Sequence, residues 1–368
     1  MKYGEYIVRG ILFYLLGGYE MLVYQTERLK EVIEQPTQLD IERIIDRRSR
    51  VRSFHQENKL KRLEAGRAGE QVVLEYLQKY GNEDWVVIQN MWLSNGGPFE
   101  ADFILLTNHG PYLFEVKNYT SDFVYQNGIV SFNSQIAAGD PIYQTRRNQI
   151  NLEKICQLHS RQLQVKGALL LVGIDNYTEI HSEVEDIDIV IRTHLRHYIQ
   201  KIAEKDRVFQ GYPMNKKQVT NQLERFEING NYGPEIVSKD ILDGLIKGIQ
   251  CPFCDGFDVK INRKVTYCPC GFKEDREIVI LRTICEFGVL TFDKHLRIGE
   301  LLEFFDGKIS RDSLRQVLTK YFQEIKKNRY SYFINLKLPL HKLYEKLNIV
   351  DPVSLKMTYQ EFEQIIKE

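Results

Sequence analysis

The stretch FEADFILLTNHGPYLFEVKN, residues 99–118, constrains the fold more than any other part of the chain. Two apolar, aromatic-rich runs flank the turn-forming residues Asn108 and His109, so the segment predicts an antiparallel hairpin closed there. In that register Asp102 lies opposite Glu115, and Glu100 opposite Lys117. Because side chains alternate at period two, Glu100, Asp102, Glu115 and Lys117 fall on one face, and Ala101, Phe103, Phe114 and Val116 on the other. Facing carboxylates repel unless a cation or a proton joins them.

Cross-strand ion pairs on a solvated sheet face give the same pattern, and a second Glu-x-Lys occurs at Glu324–Lys326, at the end of an expected helix. What separates the first copy is the acid opposite it and the continuation of its face into Ile104 and Leu106. The chemistry that wants such a set is metal-assisted phosphodiester hydrolysis. Mg²⁺ takes oxygen ligands and is usually held by one or two carboxylates together with substrate phosphate. Asp102 and Glu115 are the candidate ligands, with the Val116 carbonyl as a third, and Lys117 would orient water and offset developing negative charge.

The surrounding pattern is α/β. RLEAGRAGEQVVLEYLQKY puts Val72, Val73, Tyr76 and Leu77 on one helical stripe that stops at Gly81. WVVIQNMWL is a strand before the hairpin, and DFVYQNGIVSF is a second hairpin around Asn127-Gly128. The helix PIYQTRRNQINLEKICQLHSRQL, the buried strands KGALLLVGI and DIDIVIRT, and a closing helix follow. This makes one mixed-sheet α/β domain over residues 61–205.

Residues 1–60 read as an N-terminal helical extension, with periodicity broken at Pro36. Its basic end suits either solvated helices or an arm facing nucleic acid. The apolar piece GILFYLLGGY, bracketed by Arg9 and Glu20, is far short of the ~20 residues a membrane span needs. With no small-residue cleavage site either, the expectation is a cytoplasmic protein with no membrane attachment. Residues 206–250 read as a polar helical connector.

These residues resemble the PD-(D/E)xK nuclease superfamily, and more narrowly its nuclease-related domain family, NERD, from about residue 63 to about 175. AGRAGE is similar to the family's Gly-x-x-Gly-Glu, FEADFILL to its acid strand, and YLFEVKNY to its Glu-x-Lys strand. Gln144, after Pro141, matches its Gln position. The resemblance implies an αβββαβ core, Glu70 as an accessory acid, Asp102 and Glu115 as ligands of Mg²⁺ or Mn²⁺, Lys117 as the catalytic lysine and Gln144 as an organiser. Ala101 stands where the superfamily's nominal Pro precedes the acid. Arg146, Arg147, Lys154 and Arg161 on the same helix suit phosphate contacts or a solvated basic face.

Of six cysteines, four are crowded as Cys251-x₂-Cys254 and Cys268-x-Cys270, knuckles that can present four thiolates to one structural Zn²⁺. The segment 251–275 resembles a zinc ribbon, one residue short in its second knuckle. Lys260, Arg263 and Lys264 permit nucleic-acid contact, a protein-docking or purely structural role being as compatible. Cys156 and Cys285, in apolar helical patterns, read as core thiols. His194 and His197 lack a third ligand and read as surface histidines.

Residues 276–368 are expected to be mostly helical and resemble a winged helix-turn-helix. Ser310 caps a helix with the apolar stripe Leu314, Val317, Leu318, Tyr321 and Phe322. Arg311, Arg315, Gln316, Thr319 and Lys320 lie opposite, and Lys326, Lys327 and Arg329 mark a hairpin tip. A plain helical interaction module fits the pattern as well, and the last helices offer a surface for a second copy or a partner protein. The 50 Lys and Arg balance the 50 Asp and Glu, so net charge names no partner. The expected activity is a divalent-metal-dependent DNA nuclease. RNA or branched DNA as substrate stays open, and so does a non-catalytic nucleic-acid-binding or scaffold protein on a nuclease fold.

Overall fold

Apolar runs of strand length recur through the first two hundred residues, and in the computed structural model of the chain they line up in one sheet with helices on its faces. The structure describes residues 5–8, 11–16, 19–24, 35–157, 163–174, 176–228, 234–292, 295–327, 330–334 and 340–347. Arg9, Arg161, Arg329 and the chain after Leu347 therefore lie outside the described residues. Two units form, Met1–Val32 with Lys61–Tyr232, and Ile33–Leu60 with Gly233–Glu368.

The first unit begins with β1 (Glu5–Val8), β2 (Ile11–Leu16) and β3 (Tyr19–Tyr24). Helix α1 (Gln38–Arg48) belongs to the other unit, and α2 (Phe54–Tyr80) enters this one at Lys61. The strands β4 (Val86–Ser94), β5 (Pro98–Leu106), β6 (Pro111–Lys117), β7 (Phe123–Gln126), β8 (Ile129–Phe132) and β9 (Gln135–Ile136) follow. Then come α3 (Pro141–Cys156), β10 (Lys166–Leu171), β11 (Thr178–Ile180), β12 (Ile187–Ile191), α4 (Arg192–Arg207) and α5 (Lys216–Phe226). The main sheet runs β1-β2-β3-β4-β5-β6-β10-β12, parallel at β3/β4, β6/β10 and β10/β12 and antiparallel elsewhere. A small sheet, β11-β7-β8-β9, carries the hairpin at Asn127-Gly128, whose positive φ values of 52° and 80° are those a tight two-residue turn requires.

One face of the main sheet packs Phe103, Leu105, Phe114 and Val116 against Val73 and Leu77 of α2 and Leu195 and Ile199 of α4. The other packs Ile88, Ile104 and Leu113 against Leu152 and Ile155 of α3 and Val219 and Leu223 of α5. The β5–β6 register is the expected one, with Phe103 opposite Phe114 and Leu106 opposite Pro111. Asp206, buried in α4, closes the turn by accepting from the Asn108 and His109 backbone N–H groups at 2.7 and 3.2 Å, a long-range cap that the turn residues alone do not reveal.

Three expectations need correction. Residues 5–8, 11–16 and 19–24 are strands rather than part of a helical extension. The runs ILFYLL and YEMLVY are aromatic-rich and of strand length, and pairing of β3 with β4, some sixty residues on, decides their state. Residues 206–250 are not one connector, because Met214, Val219 and Leu223 pack into the first unit's core whereas Val237, Leu245 and Ile249 pack into the second's. Finally, Ala101 does not share a face with Phe103 but packs with Ile104 and Leu113. The β4–β5 ladder omits the pair Asn90/Asp102, Asn90 has a φ of 52°, and the alternation resets there.

The second unit holds α1, α6 (Lys239–Gly244), the strands β13 (Lys260–Ile261), β14 (Val265–Tyr267) and β15 (Lys273–Asp275), and α7 (Arg276–Leu290). After these come α8 (Ile298–Phe304), α9 (Arg311–Tyr321), β16 (Gln323–Ile325), β17 (Tyr332–Ile334) and α10 (Leu340–Leu347). Thr37 and Asp40 form a capping box that starts α1. The expected ribbon and C-terminal domain are not separate bodies. Cys251, Val259 and Phe272 share one core with Ile44 of α1, Ile280 and Ile284 of α7, and Leu314 and Leu318 of α9. Ser310 caps α9 by accepting from Ser313 N–H, β16 pairs with β17, and Leu296 bridges to Phe333, a strand–helix–helix–hairpin order like that of a winged helix.

Arg48, fully buried, holds this core together. Its guanidinium donates to Ile246 O at 2.7 Å, Gly248 O at 3.1 Å and Glu286 Oε2 at 2.6 Å, and it lies 4.3 Å from the Phe304 ring centroid. Removing one partner of such a pair leaves an uncompensated buried charge. Arg48→Ala should lower the stability of this unit by about 3–5 kcal/mol in urea unfolding, with Arg48→Met/Glu286→Leu recovering most of the loss.

Candidate active site and cysteine metal centre

Glu115 sits in β6, 1% exposed, with both carboxylate oxygens engaged. Oε1 accepts from Lys117 Nζ at 2.7 Å and from Gln144 Nε2 at 2.6 Å, and Oε2 from Asn148 Nδ2 at 3.4 Å. Gln144 and Asn148 lie four residues apart on α3, hence on one helical face. That helix starts where Asp140 accepts from the N–H groups of Ile142 and Tyr143, with Pro141 in its first turn. Asn148 also donates to the Glu100 carbonyl at 3.1 Å, fastening α3 to β5.

The ordered β5–β6 pairing ends at Phe103/Phe114, and Asp102 takes over where it stops: its Oδ2 accepts from the Val116 backbone N–H at 2.7 Å. Glu70 arrives from α2, its Oε2 accepting from Asn90 Nδ2 at 3.1 Å. Gly69 explains how that helix comes so close. A Cβ there would lie 2.9 Å from Asn118 Cβ and 3.1 Å from Val172 Cγ2, while Asn118 Nδ2 donates to Ala65 O at 2.9 Å. Gly66, the other glycine of AGRAGE, faces open space.

The structure thus brings Glu70, Asp102, Glu115, Lys117 and Gln144 together, keeps Glu100 near them, and adds Asn90 and Asn148. Asn90 was legible only as a strand residue, and Asn148 only as the residue one turn after Gln144. Lys117 pairs with Glu115 rather than with Glu100. Val116 keeps its side chain in the core. Arg147 donates to Asn148 Oδ1 from Nε and Nη2, both at 3.4 Å. Arg146 lies 3.5 Å from Asp186, and Lys154 is exposed. His194 and His197 are exposed and belong to no metal-binding group among the described residues, and Cys156 and Cys285 are buried in the cores.

Electrostatically the site is short of positive charge. Burial, then the Glu115 charge, raise Asp102 well above the usual carboxylate range, against the Val116 N–H and Lys117. Burial likewise raises Glu70, against Asn90, Arg67 and Lys117, and it raises Glu100 with help from Glu70 and Glu115. Burial works to lower Lys117, but the Glu115 charge and hydrogen bond and the Asp102 charge outweigh it, so the ammonium is held above its ordinary value. An all-oxygen donor set with this deficit is compatible with a hard divalent cation, which Asp102, Glu115 and the Val116 carbonyl would hold.

In the second unit Cys251 Sγ lies 3.8 Å from Cys270 Sγ, and Cys254 Sγ 3.5 Å from Cys268 Sγ. A tetrahedral ion with Zn–S bonds near 2.3 Å requires sulfur separations of about 3.8 Å. All four sulfurs fall within 4.8 Å of one another, a spacing that, among the described residues, no group of three or more acids or histidines reaches. The cluster is therefore compatible with a zinc ribbon whose four protein ligands close the coordination sphere.

A mixed sheet flanked by helices, with an acid, an acid and a lysine gathered where two strands part, defines a nuclease-like core. Residues 65–172 match the family model described as nuclease-related domain, NERD, so the chain carries a nuclease-related domain over that stretch. No curated protein and no solved structure matches the chain. No helix among the described residues is long and apolar enough to cross a membrane.

Two outcomes follow from the site's electrostatics and packing. Asp102, Glu70 and Glu100 hold protons more tightly folded than unfolded, so without a divalent cation stability falls as pH rises from the ordinary carboxylate range upward. Asp102→Asn, whose amide oxygen can still accept from Val116 N–H, should raise the Tm at pH 7 without Mg²⁺. Added Mg²⁺ should raise the Tm of the native chain more than that of the variant. Gly69→Ala should cost about 1–3 kcal/mol in denaturant unfolding, since Asn118 and Val172 must give way.

Proposed function

We propose that the chain is a divalent-metal-dependent nuclease that hydrolyses phosphodiester bonds of DNA, with the ribbon and the winged-helix-like part assisting substrate binding. The observation that carries this reading is the network in which Glu115 is fixed from α3 by Gln144 and Asn148 and from β6 by Lys117, beside the protected acid Asp102. A bound Mg²⁺ or Mn²⁺ would lower the pKa of its water and polarise the scissile phosphate.

The protein's own groups do the rest. Asp102 is aimed by the Val116 N–H, and Glu115 by three side-chain donors, so both carboxylates are preorganised. Lys117, kept charged by its acidic neighbours, orients the attacking water and offsets negative charge on the phosphate. Glu70, held by Asn90, would accept a hydrogen bond from a water. Gln144 and Asn148 act through Glu115 and are positioning residues. Arg147 and Lys154, on the exposed side of α3, suit phosphate contacts along the substrate backbone.

The test is cleavage of linear, circular, single-stranded and branched DNA and of RNA in Mg²⁺, Mn²⁺ or EDTA. The native chain should cut DNA only with a divalent ion. Glu115→Ala and Lys117→Ala should each lose at least about 100-fold in rate, in keeping with loss of a metal ligand or a charge-stabilising donor, and Gln144→Ala less. Cutting by the three variants at the native rate would remove the support for the assigned site, whereas binding without cutting by the native chain would move the reading to a nucleic-acid-binding or scaffold protein on a nuclease fold. The purified chain should also carry zinc, and Cys254→Ser with Cys268→Ser should lose it, as read by metal analysis.

A further inference from the structure

The ribbon's three short strands put one row of side chains across their outward face. Lys260 of β13 pairs with Tyr267 of β14, which pairs with Lys273 of β15. The next row, Ile261, Thr266 and Glu274, faces inward: Ile261 packs on the core, Thr266 and Glu274 are buried, and Glu274 binds Arg282 at 2.6 Å. Period-two alternation therefore sends Lys260, Tyr267 and Lys273 to solvent, and all three are exposed, Tyr267 at 38%.

Adjacent strands lie about 4.8 Å apart, so an ammonium stem flanks the tyrosine ring on either side at that spacing. Lys273 Nζ sits 5.5 Å from the ring centroid. Arg263 and Lys264 occupy the turn between β13 and β14. Among the described residues none of these four cations forms an ion pair, whereas the acids nearby are mostly engaged elsewhere. Glu274 faces Arg282, Asp275 caps α7 by accepting from Glu277 N–H, and Asp255 approaches Arg47 at 3.9 Å. Asp258, just before β13, is exposed and makes no ion pair among the described residues.

We infer that this face binds a single-stranded polynucleotide, one base stacking on Tyr267 and the flanking phosphates meeting Lys260 and Lys273, with Arg263 and Lys264 extending the track. An exposed aromatic between unpaired cations offers a π face and charge but no base-edge reader, which selects unpaired bases without selecting sequence. A duplex hides its base faces in the stack, so it can use the lysines but not the ring. The inference rests on the nuclease reading for the occupant's being a nucleic acid; the surface itself stands on the ribbon's register and not on the cleavage chemistry.

The experiment is fluorescence anisotropy with labelled oligo(dT), oligo(U) and a DNA duplex of equal length, on the full chain loaded with zinc and carrying Glu115→Gln to keep the probes intact. Cleavage by the native chain is scored separately, so failure of either reading shows by itself. Tyr267→Ala should weaken single-strand binding about 5- to 100-fold, while Tyr267→Phe retains it. Lys260→Ala with Lys273→Ala should lower the salt slope by about 1.4. Zinc content and unfolding midpoint should be unchanged, and duplex binding should change little with Tyr267→Ala. Preference for oligo(dT) or oligo(U) identifies which polymer the face takes. Native-strength binding by Tyr267→Ala, equal losses for single strand and duplex, or no single-strand binding at all would overturn the inference.

Discussion

A carboxylate closed off from water must be matched on both oxygens, and Glu115 is. Its partners come from its own strand and from two positions one turn apart on α3, so the helix can dock in only one rotation and height against the sheet. Asn148 repeats the constraint by holding the β5 backbone at Glu100. The candidate site and the packing of α3 on the sheet are therefore one arrangement. A loss at Glu115 would leave Gln144 and Asn148 with unpaired donors as well as removing an acid.

The hairpin was legible because three signals agreed: turn residues, apolar alternation, and charges confined to the strand ends. The register that set Asp102 near Glu115 needed nothing from elsewhere in the chain. What the sequence did not disclose is the reset at Asn90. Strict alternation predicted Ala101 beside Phe103, yet the single unpaired position in the β4–β5 ladder turns Ala101 to the other layer. Asn tolerates positive φ better than most residues, but an asparagine inside WVVIQNMWL reads as an ordinary polar strand position until its neighbours are known. Asn148 was hidden for a related reason. Helical spacing places it one turn from Gln144, but only the sheet beneath decides which face of α3 is the inner one.

In the second unit the cysteine spacing and the capped stripe of α9 were local signals, and both appear as read. Its single core was not legible, since the contact that fastens α1 to α7, Arg48 with Glu286, joins residues 238 apart. Local pattern likewise assigned a helical extension to residues whose strand state depends on pairing with β4. Separations of this kind carry no periodic trace in either partner.

The splitting of β5 from β6 gives the site its logic. A ladder that continued past Phe103/Phe114 would have satisfied the Val116 N–H with backbone and left Asp102 free to turn to solvent. Because the strands part, the N–H needs an acceptor and the acid needs a donor, and each supplies the other. That bond uses one oxygen of Asp102, and the carboxyl feels the charges of Glu115, Glu70 and Lys117, where one ammonium does not offset the nearby acids. The unsatisfied charge is thus a consequence of how the sheet ends. A divalent cation is the simplest group that could answer it without unmaking a bond the fold already uses.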